Sequence, residues 1–151
     1  MIMPLIKKGT ILRNAEITRQ EQSRGKDTFI YSSKTIPHYT GIVFPNDNII
    51  SIGEIYDVIV NQVVEKNSGG LLLSEVYYDH DSKKLLGKII KIKVSDFGHK
   101  GDPMFLLHGY RGFVKKGAPK LGDKIIARIT SYQHCNKIED ILNVEMLGLL
   151  E

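Results

Sequence analysis

Residues 101–130 read GDPMFLLHGYRGFVKKGAPKLGDKIIARIT, and this stretch decides the fold that the sequence predicts. Two apolar runs, residues 104–108 and 110–114, flank a single glycine, and a loop containing glycine and proline then leads into a β-branched run that ends at Ile129. Short apolar runs separated by glycine and proline are typical of antiparallel strands joined by tight turns. The stretch therefore predicts a small β-barrel.

The same pattern occurs a second time in the first half of the chain. Residues 39–43 read YTGIV where residues 110–114 read YRGFV, and residues 53–60, GEIYDVIV, match residues 122–129, GDKIIARI. In each copy a glycine lies inside a strand, where it lets the strand bend as the corner of a small closed barrel requires. The repeat predicts an all-β fold with two tandem small barrels. A single larger β-domain is the alternative.

Two polar segments mark the expected organisation around these barrels. Residues 78–84, YDHDSKK, predict a short linker, so we expect one domain at residues 1–80 and a second at residues 81–151. Residues 19–26, RQEQSRGK, have mixed charge and no apolar period, which predicts a long exposed hairpin loop in the first domain.

Composition narrows the classes of function. In the 151 residues no segment approaches the ~20 apolar residues that a membrane helix needs. Cys135 is the only cysteine, which excludes an intramolecular disulfide and favours a cytoplasmic location. The chain has no P-loop or dinucleotide-binding motif, and His134 is only a sequence neighbour of Cys135, not a spaced base. The sequence predicts a protein that is not an enzyme and that has no cofactor or metal.

The positive charge belongs to the second half of the chain. Residues 1–80 carry eight Lys and Arg against nine acidic residues, a net charge of −1, whereas residues 81–151 carry thirteen against eight, a net charge of +5. These values sum to the +4 of the whole chain. A concentrated basic field on a small domain attracts polyanions, above all nucleic acid, although a solvated lysine-rich surface is the alternative.

Residues 87–94 predict the first strand of the second domain, with Lys91 and Lys93 on the face opposite its apolar residues. Alternate residues of a strand lie about 7 Å apart, because each residue rises ~3.3 Å. This separation is close to that of consecutive phosphates. Arg128 is expected on a mixed face of a later strand, and Lys115, Lys116 and Lys120 flank a rigid Gly-Ala-Pro loop.

Aromatic and basic residues interleave along the predicted strands of this domain. Such a surface suits single-stranded nucleic acid, because rings stack on bases at ~1–3 kcal/mol per base while cations follow the backbone. Burial in the core is the alternative for Phe105 and Phe113, whereas we expect Tyr110 and Arg111 to face solvent. The predicted binding residues are Lys91, Lys93, His99, Lys100, Phe105, Tyr110, Arg111, Phe113, Lys115, Lys116, Lys120 and Arg128.

The order of these motifs resembles the TRAM domain, an RNA-binding β-barrel of the OB type. The resemblance covers roughly residues 85–150, and its most specific parts are Gly112-Phe113-Val114, Gly117-Ala118-Pro119 and Gly122-Asp123. The chain departs from the family at Leu106-Leu107, where a basic or small residue is expected. The resemblance implies two OB-type, TRAM-like barrels, of which the second binds RNA.

Two classes of function follow from these patterns. In the first, the protein binds RNA without catalysis, either as an RNA chaperone or on the ribosome. On the ribosome, the basic domain would contact rRNA and the acidic first domain would contact ribosomal proteins. In the second class, the chain is a protein-interaction or assembly module whose exposed β-edges pair with a partner. Neither class involves a membrane.

Overall fold

The structure is a computed structural model that describes residues 6–33, 36, 38–66, 69–135 and 139–150. Strands dominate the described residues, beside one helix of four residues, so the all-β prediction is confirmed. These residues divide into two units. The first unit comprises the described residues up to Pro45 and from Ile50 to Tyr77, and the second comprises Asn46–Ile49 and the described residues from Tyr78 onward.

The described strands of the first unit form a closed barrel. The strands are β1 (Ile11–Ser23), β2 (Lys26–Ser32), β3 (Tyr39–Phe44), β4 (Ile55–Lys66) and β5 (Gly69–Val76). They follow the order β1-β2-β3-β5-β4, in which β3 and β5 are parallel. Because β1 pairs with both β2 and β4, the long first strand closes the barrel.

Alternating side chains fill the core of this barrel. In β5 every second residue from Gly70 to Val76 is buried. The hydroxyls of Tyr31 and Ser74 share a hydrogen bond of 2.8 Å inside the core, and burial raises the pKa of Tyr31 to about 12. Gly41 lies opposite Tyr31 in the β2–β3 ladder, where a Cβ would overlap the tyrosine ring. The glycine therefore makes room for the ring.

Residues 19–26, predicted as a loop, instead form the end of a β-hairpin. Ser23 pairs with Lys26, and the two turn residues, Arg24 and Gly25, have φ angles of 54° and 78°. Two consecutive positive φ angles are those of a type I′ turn, which matches the twist of paired strands. Residues 18–27 are all exposed, so neither face of this end of the hairpin shows the apolar alternation that predicts a strand.

The second unit contains a six-stranded sheet within the described residues. Helix α1 (Ser82–Leu85) precedes β6 (Ile89–Lys93), β7 (Asp96–Phe97), β8 (Pro103–Leu107), β9 (Tyr110–Lys116), β10 (Lys124–Gln133) and β11 (Asp140–Leu149). The strand order is β6-β10-β11-β9-β8-β7, and the β9–β11 pair is parallel.

Both units follow one strand plan. Strands β6 and β7 are two pieces of one segment that takes the place of β1, because β6 pairs with β10 and β7 pairs with β8. In the first unit the amide of Gly53 donates to the carbonyl of Ile17 at 2.8 Å. In the second, the amide of Gly122 donates to the carbonyl of Val94, also at 2.8 Å. The matching sequence blocks therefore occupy corresponding places in the two units.

Asn46–Ile49 belongs to the second unit, although the sequence predicts a turn of the first barrel there. Asn48 forms a β-bridge with Ile92, and the Asp47 carboxylate accepts hydrogen bonds of 2.6 Å from the Ser95 hydroxyl and from the Leu106 amide. The segment thus bonds both to β6 and to β8.

The division between the units also differs from the predicted linker. Tyr78 is buried in the second unit, where its hydroxyl donates to Asn48 Oδ1 at 2.6 Å. Residues 82–84 of the predicted linker belong to α1, and Leu85, the last residue of this helix, is buried. Across the described ranges, no helix is both long enough and apolar enough to cross a membrane.

Candidate nucleic-acid interface

The outer face of β8 and β9 carries exposed and half-buried side chains in register. The inward-facing residues of both strands are buried, as the alternating burial along each strand shows. On the outer face Leu106 lies opposite Arg111, and Met104 lies opposite Phe113. Arg111 and Phe113 are half-buried, so each presents part of its side chain to solvent.

The loop between β7 and β8 brings further basic groups to this face. It is closed by a hydrogen bond of 2.9 Å from the Gly98 amide to the Asp102 carbonyl, and Gly101 takes a φ of 85° that suits glycine. The loop holds His99 and Lys100, whose side chains are exposed.

A cavity of about 240 Å³ lies between this loop and β9. Gly98 lets the loop approach the strand, because a Cβ there would lie 2.8 Å from Cε1 of Phe113. Four of the predicted binding residues meet here, together with two residues that the sequence analysis did not select. The cavity is lined by Gly98, His99, Lys100, Asp102, Phe113 and Lys115.

Lys115 connects the two sides of the cavity. Its Nζ lies 2.7 Å from Asp102 Oδ2 and 5.4 Å from the centroid of the Phe113 ring. A cation within about 6 Å of a ring centroid is attracted by the ring quadrupole. The ion pair and the ring together hold the lysine at the cavity. Asp102 was missed because a lone carboxylate in a basic stretch has no sequence pattern that indicates binding.

Arg111 is the second notable cation of the β8–β9 face. Its nearest described carboxylate oxygen is Glu139 Oε2, which lies 3.7 Å from Nε, too far for a hydrogen bond. The Nε atom is buried and has no hydrogen-bond partner within the described part of the chain. This N–H is therefore covered by the fold, whereas the Arg111 side chain as a whole is 40% exposed.

Phe105 and Tyr110 were predicted to bind RNA, and the structure contradicts both predictions. Each side chain is completely buried. The Phe105 ring occupies the space above Gly112, whose Cβ would overlap it, so this pair repeats the Tyr31–Gly41 arrangement. Tyr110 was expected at solvent, yet its hydroxyl donates to the Asp79 carbonyl at 3.1 Å. Neither ring is able to stack on a base.

Another part of the prediction fails because the cations do not share one side. Lys91, Lys93 and Arg128 lie on β6 and β10, which β11 separates from β9. Lys93 lies directly opposite Lys124, and Arg128 is paired with Glu145 at 3.1 Å. The predicted residues therefore divide between two separate regions of the sheet surface, one on β8–β9 and the other on β6–β10.

The remaining predicted lysines lie at the end of β9 and beyond it. Lys116 and Lys120 are exposed, and no described carboxylate forms an ion pair with either. Between them Pro119 is buried and Gly117 has a φ of 112°, so the loop is anchored to the unit. These lysines flank the β8–β9 face but do not line the cavity.

A buried carboxylate organises the β10–β11 end of the same unit. Asp140 accepts hydrogen bonds from the Tyr132 hydroxyl at 2.9 Å and the Cys135 amide at 3.0 Å. The Nδ1 atoms of His80 and His134 lie 3.1 and 2.9 Å from its oxygens. Burial acts to raise the pKa of Asp140, but these bonds outweigh it and lower the pKa below its usual value.

Residues 132–136 are predicted from the sequence as the tip of the last hairpin, and Asn136 lies outside the described residues. In the described ranges, no three His, Cys, Asp or Glu side chains form a group that could hold a metal ion. Comparison of the chain with protein-family models, with curated proteins and with solved structures found no match. The functional argument therefore depends on the geometry of the chain itself.

Proposed function

We propose that this protein binds single-stranded RNA, without catalysis or a cofactor, on the outer face of β8 and β9 and beside the Gly98–Asp102 loop. The observation that carries the proposal is the cavity, where the Phe113 ring lies beside Lys100 and Lys115. An aromatic platform flanked by cations suits a strand whose bases stack and whose backbone is negative. Arg111 adds a positively charged side chain that is 40% exposed on the outer face of β9.

The strand order supports a further part of the proposal, that both units are OB-type barrels and that the second is TRAM-like. In each unit the spatial order of the strands is the one expected of that fold, with a parallel pair formed by the third and the last strand. OB folds bind oligonucleotides on the face of strands two and three and on two adjoining loops. In the second unit that face is β8 and β9, and the first loop is the one that lines the cavity.

The corresponding face of the first unit favours a different role. On β2 the residues Thr28 and Ile30 alternate with the core-facing residues. Both are nonetheless buried, with exposed fractions of 3% and 7%. On β3 the outward residues Thr40 and Phe44 are exposed, so the open part of this face is limited to one strand, and that strand carries no cation. We therefore assign RNA contact to the second unit and contact with proteins, such as those of the ribosome, to the first.

The alternative role as an assembly module with exposed β-edges has less support. The first unit is a closed barrel, and closure removes the open edges through which strands add to a sheet. In the second unit the end strand β7 has only two residues, and the end strand β6 is bonded by Asn46–Ile49. We place the RNA-binding function in the cytoplasm, as the lone cysteine predicts. Crosslinking in cell extract separates the two RNA roles, since rRNA at one locus indicates the ribosome and scattered messages indicate a chaperone.

Salt dependence tests the proposal directly. The purified chain and a labelled RNA of twelve uridines are titrated by fluorescence anisotropy at several salt concentrations. If about five phosphates are neutralised, the log–log slope of affinity against salt is close to −3.5, from ~0.7 per phosphate on a single strand. Absence of binding at low salt would overturn the proposal, and so would binding that does not weaken as salt increases.

A further inference from the structure

The cavity contains a carboxylate, which is unexpected in a surface that attracts phosphate. Asp102 lines the cavity and is one-third exposed, so its negative charge reaches the space that a ligand would occupy. Its partner Lys115 offsets this charge, and the pair as a whole is neutral. A phosphate gains little from a neutral pair. A base edge with N–H donors gains a hydrogen bond from the carboxylate, so the cavity suits a base.

The Phe113 ring provides a surface for that base. The ring is half-buried and fixed on one side by the Gly98 backbone, where no Cβ intervenes. Lys115 lies near the same ring and presents its ammonium beside the Asp102 carboxylate. A flat ligand on the ring would therefore meet a donor and two acceptor oxygens at its edge.

We propose that this cavity selects guanine, an inference that rests on the proposed RNA-binding function. The Watson–Crick edge of guanine presents a carbonyl acceptor followed by two N–H donors. This order is complementary to the Lys115 ammonium and the two oxygens of Asp102. Oδ2 already accepts from Lys115 and has a second lone pair, and no described group donates to Oδ1.

The other bases fit this arrangement less well. Uracil offers one N–H between two carbonyls, so one carbonyl would face the carboxylate. Cytosine places an amino group where the lysine donates and acceptors where the carboxylate oxygens lie. Adenine likewise places an amino group and an acceptor in the reversed order. The expected preference is guanine first, uracil second, and adenine and cytosine last. In this arrangement His99 and Lys100 contact phosphates at the rim, which adds affinity without selectivity.

The test compares four labelled RNAs of twelve nucleotides, all uridine except for a central G, A, C or U. A single guanine among uridines avoids self-association of guanine-rich strands. The G-containing RNA should bind about fivefold or more tightly than the all-uridine RNA, which is the low end of the discrimination a bidentate base contact provides. Asp102→Asn should reduce the ratio of the G-containing to the all-uridine affinity to about one, because an amide supplies only one acceptor. Asp96→Asn, which changes an exposed carboxylate outside the cavity, should retain the preference.

The outcomes separate this inference from the proposed function. Equal binding of all four RNAs overturns guanine selection and leaves RNA binding intact, whereas binding of none overturns both. A guanine preference that survives Asp102→Asn overturns the role of the carboxylate. Competition of free guanosine and uridine against the labelled RNA on the unaltered protein needs no variant. Stronger competition by guanosine supports selection, and equal competition contradicts it.

Discussion

Gly112 shows how one residue without a side chain positions an aromatic ring. A Cβ at this position would overlap the Phe105 ring, and the same relation joins Gly41 to Tyr31 in the first unit. The Phe105 ring completes the core. Phe113, which follows Gly112 in β9, points to the outer face. The direction of the exposed ring thus depends on the glycine beside it.

We predict that Gly112→Ala lowers the stability of the second unit. The added methyl group must displace a completely buried ring, and overpacking of this kind costs ~1–3 kcal/mol. Gly148→Ala is the matched control, since nothing lies within 4 Å of the Cβ it would add. Urea denaturation of both variants measures the effect. Equal midpoints for the two variants would show that the ring does not require the glycine.

Asp140 gives a prediction of pH dependence. Its pKa is lowered in the folded protein, so its contribution to stability is fully present above the ordinary carboxyl pKa of 3.8 and is lost as the pH falls below that value. Asp140→Asn removes the charge at every pH and should cost ~1–3 kcal/mol at pH 7, because a carboxylate acceptor of several donors is lost. His80 and His134, which face this carboxylate, are the same in both proteins.

Chemical denaturation at pH 7 and at pH 3 checks this expectation. The difference in the free energy of unfolding between the unaltered protein and Asp140→Asn should be smaller at pH 3 than at pH 7. A difference that is constant with pH would mean that the charge of Asp140 does not stabilise the fold.

At the scale of secondary-structure elements, the candidate site depends on the strand to which each cation belongs. Strands β8 and β9 carry Arg111 and adjoin the loop with Lys100, while β6 and β10 carry the opposed pair Lys93 and Lys124. Like charges that lie directly opposite each other destabilise a ladder. The β6–β10 region therefore also attracts anions, and its half-buried ring, Tyr132 near the end of β10, donates a hydrogen bond to Asp140.

Two double variants compare the cations beside β8 and β9 with the cations on β6 and β10. Lys100→Ala with Arg111→Ala removes two cations beside the cavity, and Lys93→Ala with Lys124→Ala removes two cations from β6 and β10. We expect the first pair to weaken RNA binding strongly and to make the salt slope shallower by about 1.4, from ~0.7 per phosphate contact. The second pair should have a smaller effect. Anisotropy titrations at three salt concentrations measure both, and the reverse order would move the site to β6 and β10.

The sequence predicted the strands better than it predicted which side of each strand is buried. The glycine-separated apolar runs identified β8, β9 and β10, and the duplicated blocks identified corresponding strands. The burial of Tyr110 was missed, and that of Phe105 was expected only as an alternative, because β8 and β9 have apolar or aromatic residues on both faces, so the period of two does not show which is inside. The cavity also depends on Gly98 and Asp102, which approach Phe113 only after the loop folds.

At the scale of the whole chain, the two sequence halves do not coincide with the two structural units. Asn46–Ile49 lies between β3 and β4 in sequence but forms its backbone ladder with the second unit. The hydrogen bonds of Asp47 to Ser95 and Leu106 span 48 and 59 residues of sequence. No local pattern predicts contacts of such long range, which is why this assignment was missed.

We predict that Asp47→Ala in the full chain loosens the second unit selectively. Loss of the shared acceptor removes two hydrogen bonds at an exposed position, each contributing about 1 kcal/mol. Hydrogen exchange followed by mass spectrometry should show faster exchange in β6 and β8 and little change in β5. Asp27→Ala, at the exposed first hairpin, is the control. Equal acceleration in β5 and β8 would contradict a local role for Asp47.

The placement of Asn46–Ile49 also has a consequence for anyone who transplants the second unit into another protein. A gene fragment that starts after Tyr77 would encode β6 and β8 but leave out the four residues that bond to both of them. Such a graft would need those residues supplied as a separate peptide or joined through a new connection. The order of the coding segments must be changed before the second unit can be moved into another protein.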